Sequence, residues 1–255
     1  MYDVSLSIVT YNNEKTIRNT LESITGHMDE GFEYVVFVVD NNSRDRTVGE
    51  VEDTAGNIVL IKNTRNIGFG AGHNIVLDRI DSKYHVVVNP DITIKSGIIR
   101  EMAGCMDTNP DIGLMSPLIK FPNGEIQYLC KHNPTFIDLA IRLIAPNSFR
   151  SRQDWFEMRE TGYDKMFDIE YASGCFMFFR TEIFKRIGGF DENIFLYLED
   201  ADITRRVNQI SRTVFYPYGH VVHEWQRGAH KDPRLMWINI KSAAYYFKKW
   251  GFRLF

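Results

Sequence analysis

The sequence predicts an α/β protein built on a mainly parallel, doubly wound, Rossmann-like sheet with helices on both faces. Two observations support this prediction. Apolar runs rich in β-branched residues recur through the first half of the chain, and helical patterns separate them. This alternation is typical of a parallel sheet, because parallel strands need a crossover connection. The pattern becomes less regular after about residue 110, which predicts a mixed second half.

Four strands are predicted in the first half. The run at 34–39 is apolar at every position, which is typical of a strand buried on both faces. The four predicted strands cover residues 4–10, 34–39, 58–61 and 84–88.

Helical patterns fill the intervals between these strands. Asn12 is predicted to cap the first helix, and Asn42 with Ser43 to cap the second. Their inward faces, and the bounds of the later helices, follow from the apolar spacing. The first predicted helix has Ile17, Leu21 and Ile24 on its inward face, and the second starts near Asp45 with Val48 and Val51 inward. The third spans 69–80 with Ile75, Val76 and Ile80 inward. The fourth runs from a cap at Ser96 to about Asn109.

The second half is predicted as shorter strands joined by longer connections. A turn is expected at 122–124, where Pro, Asn and Gly follow one another. Residues 131–168, rich in Phe, Trp and Arg, are predicted as a loop with short helices. The strands are predicted at 112–119, 172–180, 213–216 and 221–224, and a final helix at 233–250.

Length and composition narrow the class of protein. The 255 residues, 44% of them hydrophobic, suit one domain over 1–255, with a first half at about 1–95, a second half at about 96–230 and a C-terminal helix at about 231–255. A net charge of −3 gives no basic field for nucleic acid. The chain starts directly in a strand pattern and has no long apolar run, so we expect neither a signal peptide nor a membrane span. Its three separated cysteines are expected to be reduced cytosolic thiols.

Polar residues follow three of the predicted strands. Residues 10–13 (Thr-Tyr-Asn-Asn), 40–43 (Asp-Asn-Asn-Ser) and 89–91 (Asn-Pro-Asp) each begin where a strand ends. One such segment is most simply an ordinary turn. Three on one edge of a parallel sheet predict a shared nucleotide pocket, because ligands bind beyond the carboxyl ends of the strands. Asp40 could accept a hydrogen bond from a base N–H.

A glycine-rich segment opens the third helix. Its glycines could let the backbone approach a phosphate at the helix N-terminus, or they could serve tight packing, and the sequence leaves both open. The spacing G-x-G-x-G is not the dinucleotide fingerprint, and the segment follows the third strand. The segment runs from Asn66 through Gly68, Phe69, Gly70 and Gly72 to Asn74.

An acidic cluster begins another helical pattern. Glu199, Asp200 and Asp202 fall within four positions, and Arg205 follows. Acids at a helix N-terminus are stabilised by the free amides there, so a capped surface helix is one interpretation. The other is a carboxylate that acts as a general base in a pocket.

Two further residues suggest a metal site. Asp91 follows a strand and, together with a diphosphate, could hold Mg²⁺ or Mn²⁺ through oxygen ligands. His223 ends a late strand and is either a further ligand or a structural histidine.

Taken in order, these segments resemble the bacterial family-2 glycosyltransferases of the GT-A fold, most closely the rhamnosyltransferase-like branch. The resemblance covers residues 4 to about 225. It rests on the motifs at 7–12 (Ser-Ile-Val-Thr-Tyr-Asn), 38–43 (Val-Val-Asp-Asn-Asn-Ser) with Asp45, 66–74, 89–91, 174–177 (Gly-Cys-Phe-Met), 189–192 (Gly-Phe-Asp-Glu) and 199–202 (Glu-Asp-Ala-Asp).

The resemblance implies roles for matching positions. Asp40 would read a pyrimidine base, Asp91 would bind the metal, and Asp200 would deprotonate the acceptor hydroxyl, with His223 facing the diphosphate. Asn89 replaces the first Asp of the family's Asp-x-Asp, and the segment after His223 is longer than the family pattern. The implied nucleotide-sugar contacts are Thr10, Tyr11, Asn12, Asp40, Asn42, Asn66, Gly68, Phe69, Gly70, Asn74 and Asn89; Glu199, Asp202 and Arg205 would support the base.

The resemblance also implies a reaction: metal-dependent, inverting transfer of a sugar to a cell-surface glycan or lipid-linked precursor, in the cytoplasm or at the inner face of the plasma membrane. The first expected donor is dTDP-L-rhamnose, followed by UDP-hexoses or UDP-galactofuranose. A non-catalytic nucleotide-sugar-binding module is the alternative, although the intact acids argue against it. An oxidoreductase is disfavoured because the glycines of a dinucleotide site are missing after the first strand.

The C-terminal helix pattern mixes aromatic and basic residues. Trp237 and Trp250 alternate with Lys241, Lys248 and Lys249. Such a helix could lie on an anionic membrane, pack on the core with a solvated basic edge, or form a homodimer contact.

Overall fold

A single sheet runs through the described part of the chain, residues 1–28, 30–95, 97–144, 148–224 and 232–255 of a computed structural model. The strands are β1 (Tyr2–Thr10), β2 (Tyr34–Asp40), β3 (Ile58–Lys62), β4 (Ser82–Val88), β5 (Ile92–Thr93), β6 (Ile112–Lys120), β7 (Phe167–Asp168), β8 (Phe176–Arg180) and β9 (Arg212–His223). Their order is β3-β2-β1-β4-β8-β6-β9-β5, and β7 pairs with β9.

The helices alternate with strands in the first half, as the sequence predicts. They are α1 (Ile17–His27), α2 (Thr47–Glu52), α3 (Phe69–Asn74), α4 (Ile98–Thr108), α5 (Phe136–Ile144), α6 (Arg150–Phe156), α7 (Thr181–Arg186), α8 (Glu199–Val207) and α9 (Pro233–Trp250).

The first four long strands form the predicted parallel unit. β1 pairs in parallel with β2 and with β4, and β2 with β3. Thr10 lies opposite Asp40, and Ile8 lies opposite Val88, so the strand ends meet at one edge. The polar segments after β1, β2 and β4 therefore share that edge.

The second half is mixed, as the sequence predicts. β8 is antiparallel to β4 and to β6, and β5 and β7 are antiparallel to β9. The predicted strands at 213–216 and 221–224 are one strand, β9, whose register against β6 shifts between Tyr216 and His220. The bulge accommodates the Pro-Tyr-Gly segment at 217–219, which lies between the two strands predicted from the sequence. The strand predicted from residue 172 starts at Phe176, after a turn.

The core has a layer on each face of the sheet. Leu6 and Ile8 face one layer, and Val9 faces the other, so alternate residues of β1 bury both faces. The layer under Leu6 includes apolar residues of α1 and α4, and the opposite layer includes residues of α7 and α8. This two-sided burial explains why the strands are so uniformly apolar.

Two predicted helix caps are wrong. Asn12 lies four residues before the residue that precedes α1, has a left-handed backbone (φ 59°), and accepts a hydrogen bond from the Arg44 amide at 2.8 Å. Asn42 is also left-handed (φ 65°), and the start of α2 is held by Asp45, whose Oδ1 accepts the Thr47 amide at 3.0 Å. Tertiary contacts between the two loops determine both positions.

Other helix bounds differ from the prediction in detail. The helix predicted over 69–80 ends as α3 at Asn74 and continues as a 3₁₀ turn at Leu77–Arg79. Ser96, the predicted cap of α4, lies outside the described residues. Residues 131–168 contain α5, α6 and a 3₁₀ turn at Arg159–Thr161, in line with the predicted short helices.

A third apolar cluster attaches α9 to the body of the protein. Leu198 and Ala201, at the start of α8, pack with Tyr171, Phe156 and the α9 residue Tyr246. Across the described ranges, every helix is too short or too polar to traverse a bilayer.

A polar network is buried inside the parallel unit. The Ser7 hydroxyl lies 2.7 Å from His73 Nδ1 and 3.0 Å from His85 Nε2, and the Ser5 hydroxyl lies 2.8 Å from His85 Nδ1. Both histidines are fully buried. Burial lowers the pKa of His85 to about 3 and moves the pKa of His73 well below its ordinary value, so both rings are neutral at neutral pH.

Candidate functional site

A cleft of about 480 Å³ opens at the edge where β1, β2 and β4 end. Its polar lining matches the region that the strand-end argument indicated, and it also includes Glu14 and Lys15, which that argument missed. The lining residues are Asn12, Asn13, Glu14, Lys15, Thr16, Asp45, Phe69, Asn89, Pro90 and Asp91.

Asp40 organises the turn beside this cleft. Its Oδ1 accepts the Thr10 hydroxyl at 3.1 Å, and its Oδ2 accepts the Ser43 amide at 3.0 Å. The residue is 3% exposed and does not line the cleft. Each carboxylate oxygen can accept further bonds, so base recognition by Asp40 stays a prediction. Tyr11, by contrast, is half-exposed at 47%, and Asn42 is exposed.

The glycine-rich segment packs against protein. A Cβ at Gly70 would collide with the Phe190 side chain, and one at Gly72 with Val9. Asn74 accepts the Phe190 amide at 2.8 Å and donates to its carbonyl at 2.9 Å. Of the two open interpretations of these glycines, close packing is therefore the one that the contacts support.

The start of the same segment is fixed to the chain leading into α8. Asn66 Oδ1 accepts the Gly68 amide at 2.9 Å, and Gly68 has a positive φ of 97°. The Phe69 amide donates to the Phe195 carbonyl at 2.9 Å. The segment thus joins the cleft, which Phe69 lines, to the loop before the acidic helix.

Asp91, which lines the cleft, lies next to His223. His223 Nε2 is 3.4 Å from Asp91 Oδ1, and that oxygen is buried with no hydrogen-bond partner. Within the described ranges, no three His, Cys, Asp or Glu side chains converge on one point. The pair would therefore need ligand oxygens, such as those of a diphosphate, to complete the coordination of a cation.

Gln127 fixes the orientation of His223. The Gln127 amide nitrogen donates to the His223 carbonyl at 2.7 Å, which places its Oε1 2.9 Å from His223 Nδ1. Because Oε1 can only accept, Nδ1 carries a proton, and Nε2 is the ring nitrogen that faces Asp91. A histidine held this way suits metal ligation, so Asp91 and His223 fit a divalent cation.

Asp200 lies at the first turn of α8, half-buried. Its Oδ2 accepts the Gly174 amide at 3.1 Å, and its Oδ1 accepts the Ala201 amide at 2.9 Å. Tyr197 and Leu198 precede it with positive φ values of 68° and 67°. Such backbone strain in non-glycine residues is characteristic of sites where the fold fixes a functional group.

Two neighbours of Asp200 were not predicted from the sequence. Lys131 is buried, with Nζ 4.3 Å from the ring centre of Tyr171. Burial, and then Arg142, lower the pKa of Lys131 to about 8, while Asp200 opposes this shift. Burial, and then the charge of Asp200, raise the pKa of Tyr171. A cation and a phenol thus lie beside the candidate base.

The three supporting residues differ in their surroundings. Glu199 is buried, its Oε2 has no partner, and burial followed by the charge of Asp200 raises its pKa well above the ordinary value. Asp202 is fully buried and accepts bonds from Arg206 at 2.8 Å and from the Trp250 indole at 2.8 Å. Arg205 lies 4.4 Å from the Trp250 ring. Asp202 and Arg205 therefore fasten α8 to α9.

A turn at 174–175 joins the two candidate centres. The Gly174 amide binds Asp200, and the next residue, Cys175, accepts the Asn89 amide at 2.9 Å. Asn89 begins the loop that carries Asp91. One turn therefore holds the acidic helix beside the candidate metal loop.

Two proteins of known name are similar to this chain over most of its length. The chain is 24% identical over 231 residues to the N-acetylglucosaminyl-diphospho-decaprenol L-rhamnosyltransferase of Mycobacterium tuberculosis (strain ATCC 25618 / H37Rv), covering 83% of this chain and 73% of that protein. It is 24% identical over 241 residues to the rhamnosyltransferase WbbL of Escherichia coli (strain K12), covering 91% and 85%.

A solved structure shows the same fold. The crystal structure of GalNAc-T7 with UDP, GalNAc and Mn²⁺ superposes with a TM-score of 0.67 at 16% identity, covering 89% of this chain and 45% of that one. The fold is the expected GT-A fold, with a mixed α/β sheet between helices. The model of the family named Glycosyl transferase family 2 matches residues 5–188. The chain belongs to glycosyl transferase family 2.

Proposed function

We propose that this glycosyltransferase moves L-rhamnose from dTDP-L-rhamnose to a hydroxyl group of a lipid-linked glycan precursor, with inversion at the anomeric carbon. The observation that carries the proposal is the turn at 174–175, which holds Asp200 beside the loop of Asp91. A base and a candidate diphosphate site then flank one cleft. Two relatives named as rhamnosyltransferases support the choice of sugar.

Asp200 serves as the general base in this proposal. The acceptor O–H gives its proton to the Asp200 carboxylate while the oxygen forms a bond to the anomeric carbon. The bond from that carbon to the diphosphate oxygen breaks on the opposite face, and its electron pair leaves with the nucleoside diphosphate. The Gly174 and Ala201 amides orient the carboxylate for this transfer.

Asp91 and His223 would hold Mg²⁺ or Mn²⁺ together with the diphosphate. A bound divalent cation supplies Lewis-acid neutralisation of the leaving charge. GalNAc-T7, which shares the fold, has been solved with UDP and Mn²⁺. The orphaned Asp91 Oδ1 and the position of His223 Nε2 next to it support this assignment.

Gln127→Leu is expected to weaken Mn²⁺ binding about 10–100-fold, because the outer partner of a metal-ligating histidine sets its tautomer and orientation. Gln127→Glu keeps an acceptor for His223 Nδ1 but loses the donor to the His223 carbonyl, so it should lose less affinity than Gln127→Leu. Titration of Mn²⁺ by electron paramagnetic resonance, with dTDP present, measures both variants without turnover. Equal affinity in Gln127→Leu and the native protein would remove His223 from the metal site.

The donor can be identified by thermal shift with a panel of nucleotide sugars, each with and without Mn²⁺. A ligand at 100 times its Kd adds about 2.7 kcal/mol, which corresponds to a rise in Tm of roughly 5–10 °C for a chain of this size. We expect a metal-dependent rise with dTDP-L-rhamnose. A rise with a UDP-hexose or UDP-galactofuranose instead would overturn the rhamnosyl assignment and leave Asp200 as the base.

The acceptor is proposed to be a sugar on a lipid diphosphate, because the Mycobacterium tuberculosis relative is named for such a substrate. The enzyme would then work at the inner face of the plasma membrane. Of the three sequence-based options for α9, the structure adds packing contacts to α8, and surface contact with lipid stays a proposal.

A further inference from the structure

An apolar groove of about 570 Å³ lies between α5, α9 and the C-terminal residues. Among the described lining residues, all but Asn239 and Lys248 are apolar. They are Phe136, Leu139, Ala140, Leu143, Ile144, Asn239, Ile240, Ala243, Ala244, Phe247, Lys248 and Phe252. The volume falls within the range of small-molecule sites, and the cleft at Asp91 is a separate feature.

The shape of the groove suits one flexible apolar chain. Ala140, Ala243 and Ala244 leave room between the larger residues of the two helices. Phe136 is 48% exposed and Phe252 63% exposed, and their rings lie 5.6 Å apart. Exposed aromatic residues gathered around a concave surface mark a binding site more often than a solvated face.

The α9 side of the groove is basic, whereas Asp138 on α5 is buried and paired with Arg152. The helix α9 and the residues after it contain no acidic residue, although the whole chain has a net charge of −3. The groove-lining Lys248 is exposed, and Lys249 is tied to Asp191 and Asp202 at 2.6 and 2.7 Å. An exposed ammonium at the rim of an apolar groove complements a ligand with an anionic head and a hydrocarbon tail.

The helix α9 connects this groove to α8, the helix that carries Asp200. Tyr246 packs on Leu198 and Ala201, and the Trp250 indole donates to Asp202 at 2.8 Å. The groove residues Ala243, Ala244 and Phe247 belong to the same helix. Ala243 and Phe247 also pack against the cluster that contains Leu198 and Ala201, so the groove adjoins the start of α8.

We propose that the groove between α5 and α9 seats the first isoprene units of the lipid-linked acceptor, with Lys248 at the rim meeting its diphosphate. This inference rests on the proposed function, and it specifies how the acceptor is recognised. The enzyme would bind the acceptor by its lipid as well as by its sugar.

Calorimetric titration of the purified chain with farnesyl diphosphate tests the proposal, with inorganic diphosphate as the head-group control. Ala244 is exposed in the groove, so Ala244→Trp fills it at little cost to folding. The variant should bind farnesyl diphosphate about tenfold more weakly, the loss expected when about two methylene groups remain in water. Its affinity for inorganic diphosphate should not change.

Lys248→Glu and Lys241→Glu form a matched pair. Both lysines are exposed on α9 and are seven residues apart, so they share a helix face, but Lys241 does not line the groove. Lys248→Glu should weaken farnesyl diphosphate binding about tenfold and Lys241→Glu less than twofold, consistent with the short range of a screened charge. Equal losses would overturn the proposal in favour of general attraction to an anionic surface.

Two further outcomes would also overturn it. Undiminished binding by a folded Ala244→Trp variant would place the lipid elsewhere. A concentration-dependent dimer that Ala244→Trp abolishes would make the groove an interface between two copies. The donor thermal shift, repeated in each variant, distinguishes a failure of this proposal from a failure of the proposed function. The shift should persist in every variant. If the native protein shows no donor shift, the donor assignment is rejected and the lipid result still stands.

Discussion

Asp200→Asn is expected to lower kcat by about 10²–10⁴-fold, the usual contribution of a positioned general base. The amide keeps the size of the carboxylate and can still accept the Gly174 amide, which lies 3.1 Å from Oδ2 in the native protein. Donor binding should therefore change little, and the loss should appear in kcat. Steady-state kinetics with the identified donor, paired with the donor thermal shift, measures both quantities.

Glu199→Gln is the matched control for this prediction. It makes the same carboxylate-to-amide change at the adjacent residue, where burial and then the charge of Asp200 raise the pKa well above its ordinary value. The raised pKa favours the neutral carboxylic acid, which the amide imitates. Full activity in Asp200→Asn together with a large loss in Glu199→Gln would transfer the role of base to Glu199.

The second large effect is expected in stability at acidic pH. His73 and His85 are buried and neutral, with pKa values lowered chiefly by burial, to about 3 for His85. Below pH 6.5 the unfolded chain takes up protons on both histidines and the folded chain does not. The free energy of unfolding should therefore fall by about 1.4 kcal/mol per pH unit for each histidine as pH falls from about 6.5 toward the folded pKa values.

Urea unfolding at pH values from 7.5 to 4.5 measures this slope. His85→Asn removes one titrating group, so its stability should depend less steeply on pH, by about one proton. His27 is exposed, and His27→Asn serves as the control whose slope should match the native protein. An unchanged slope in a folded His85→Asn variant would show that His85 is protonated in the folded state, contrary to its burial in the Ser5–Ser7 network.

Several features of the site could be predicted from sequence because they follow from local pattern. An apolar run such as 34–39 specifies a buried strand wherever it lies. Once the strands are parallel, the residues that follow them must meet at one edge, and the cleft beside Asn12, Asn89 and Asp91 lies there. The start of a helix at Glu199 likewise followed from the spacing of acids and apolar residues.

The predictions that failed concern contacts between distant segments. Asn12 and Asn42 have the right residue type for caps, but each adopts a left-handed backbone in a loop held by the other loop's groups. The sequence predicted a mixed second half, but it did not indicate that β8 lies antiparallel between β4 and β6. The local pattern of an apolar strand does not indicate whether the neighbouring strand runs parallel or antiparallel to it.

The sequence by itself determined the alternation of strands and helices and the family, because these depend on residue order and spacing, and it predicted site roles for Asp91 and Asp200. The tertiary structure alone decided which groups surround those acids. Lys131 and Tyr171 approach Asp200, and Gln127 approaches His223, across long separations in the chain. The physical reason is that the pKa of an acid and the tautomer of a histidine depend on burial and on neighbours a few ångströms away, which chain folding places there.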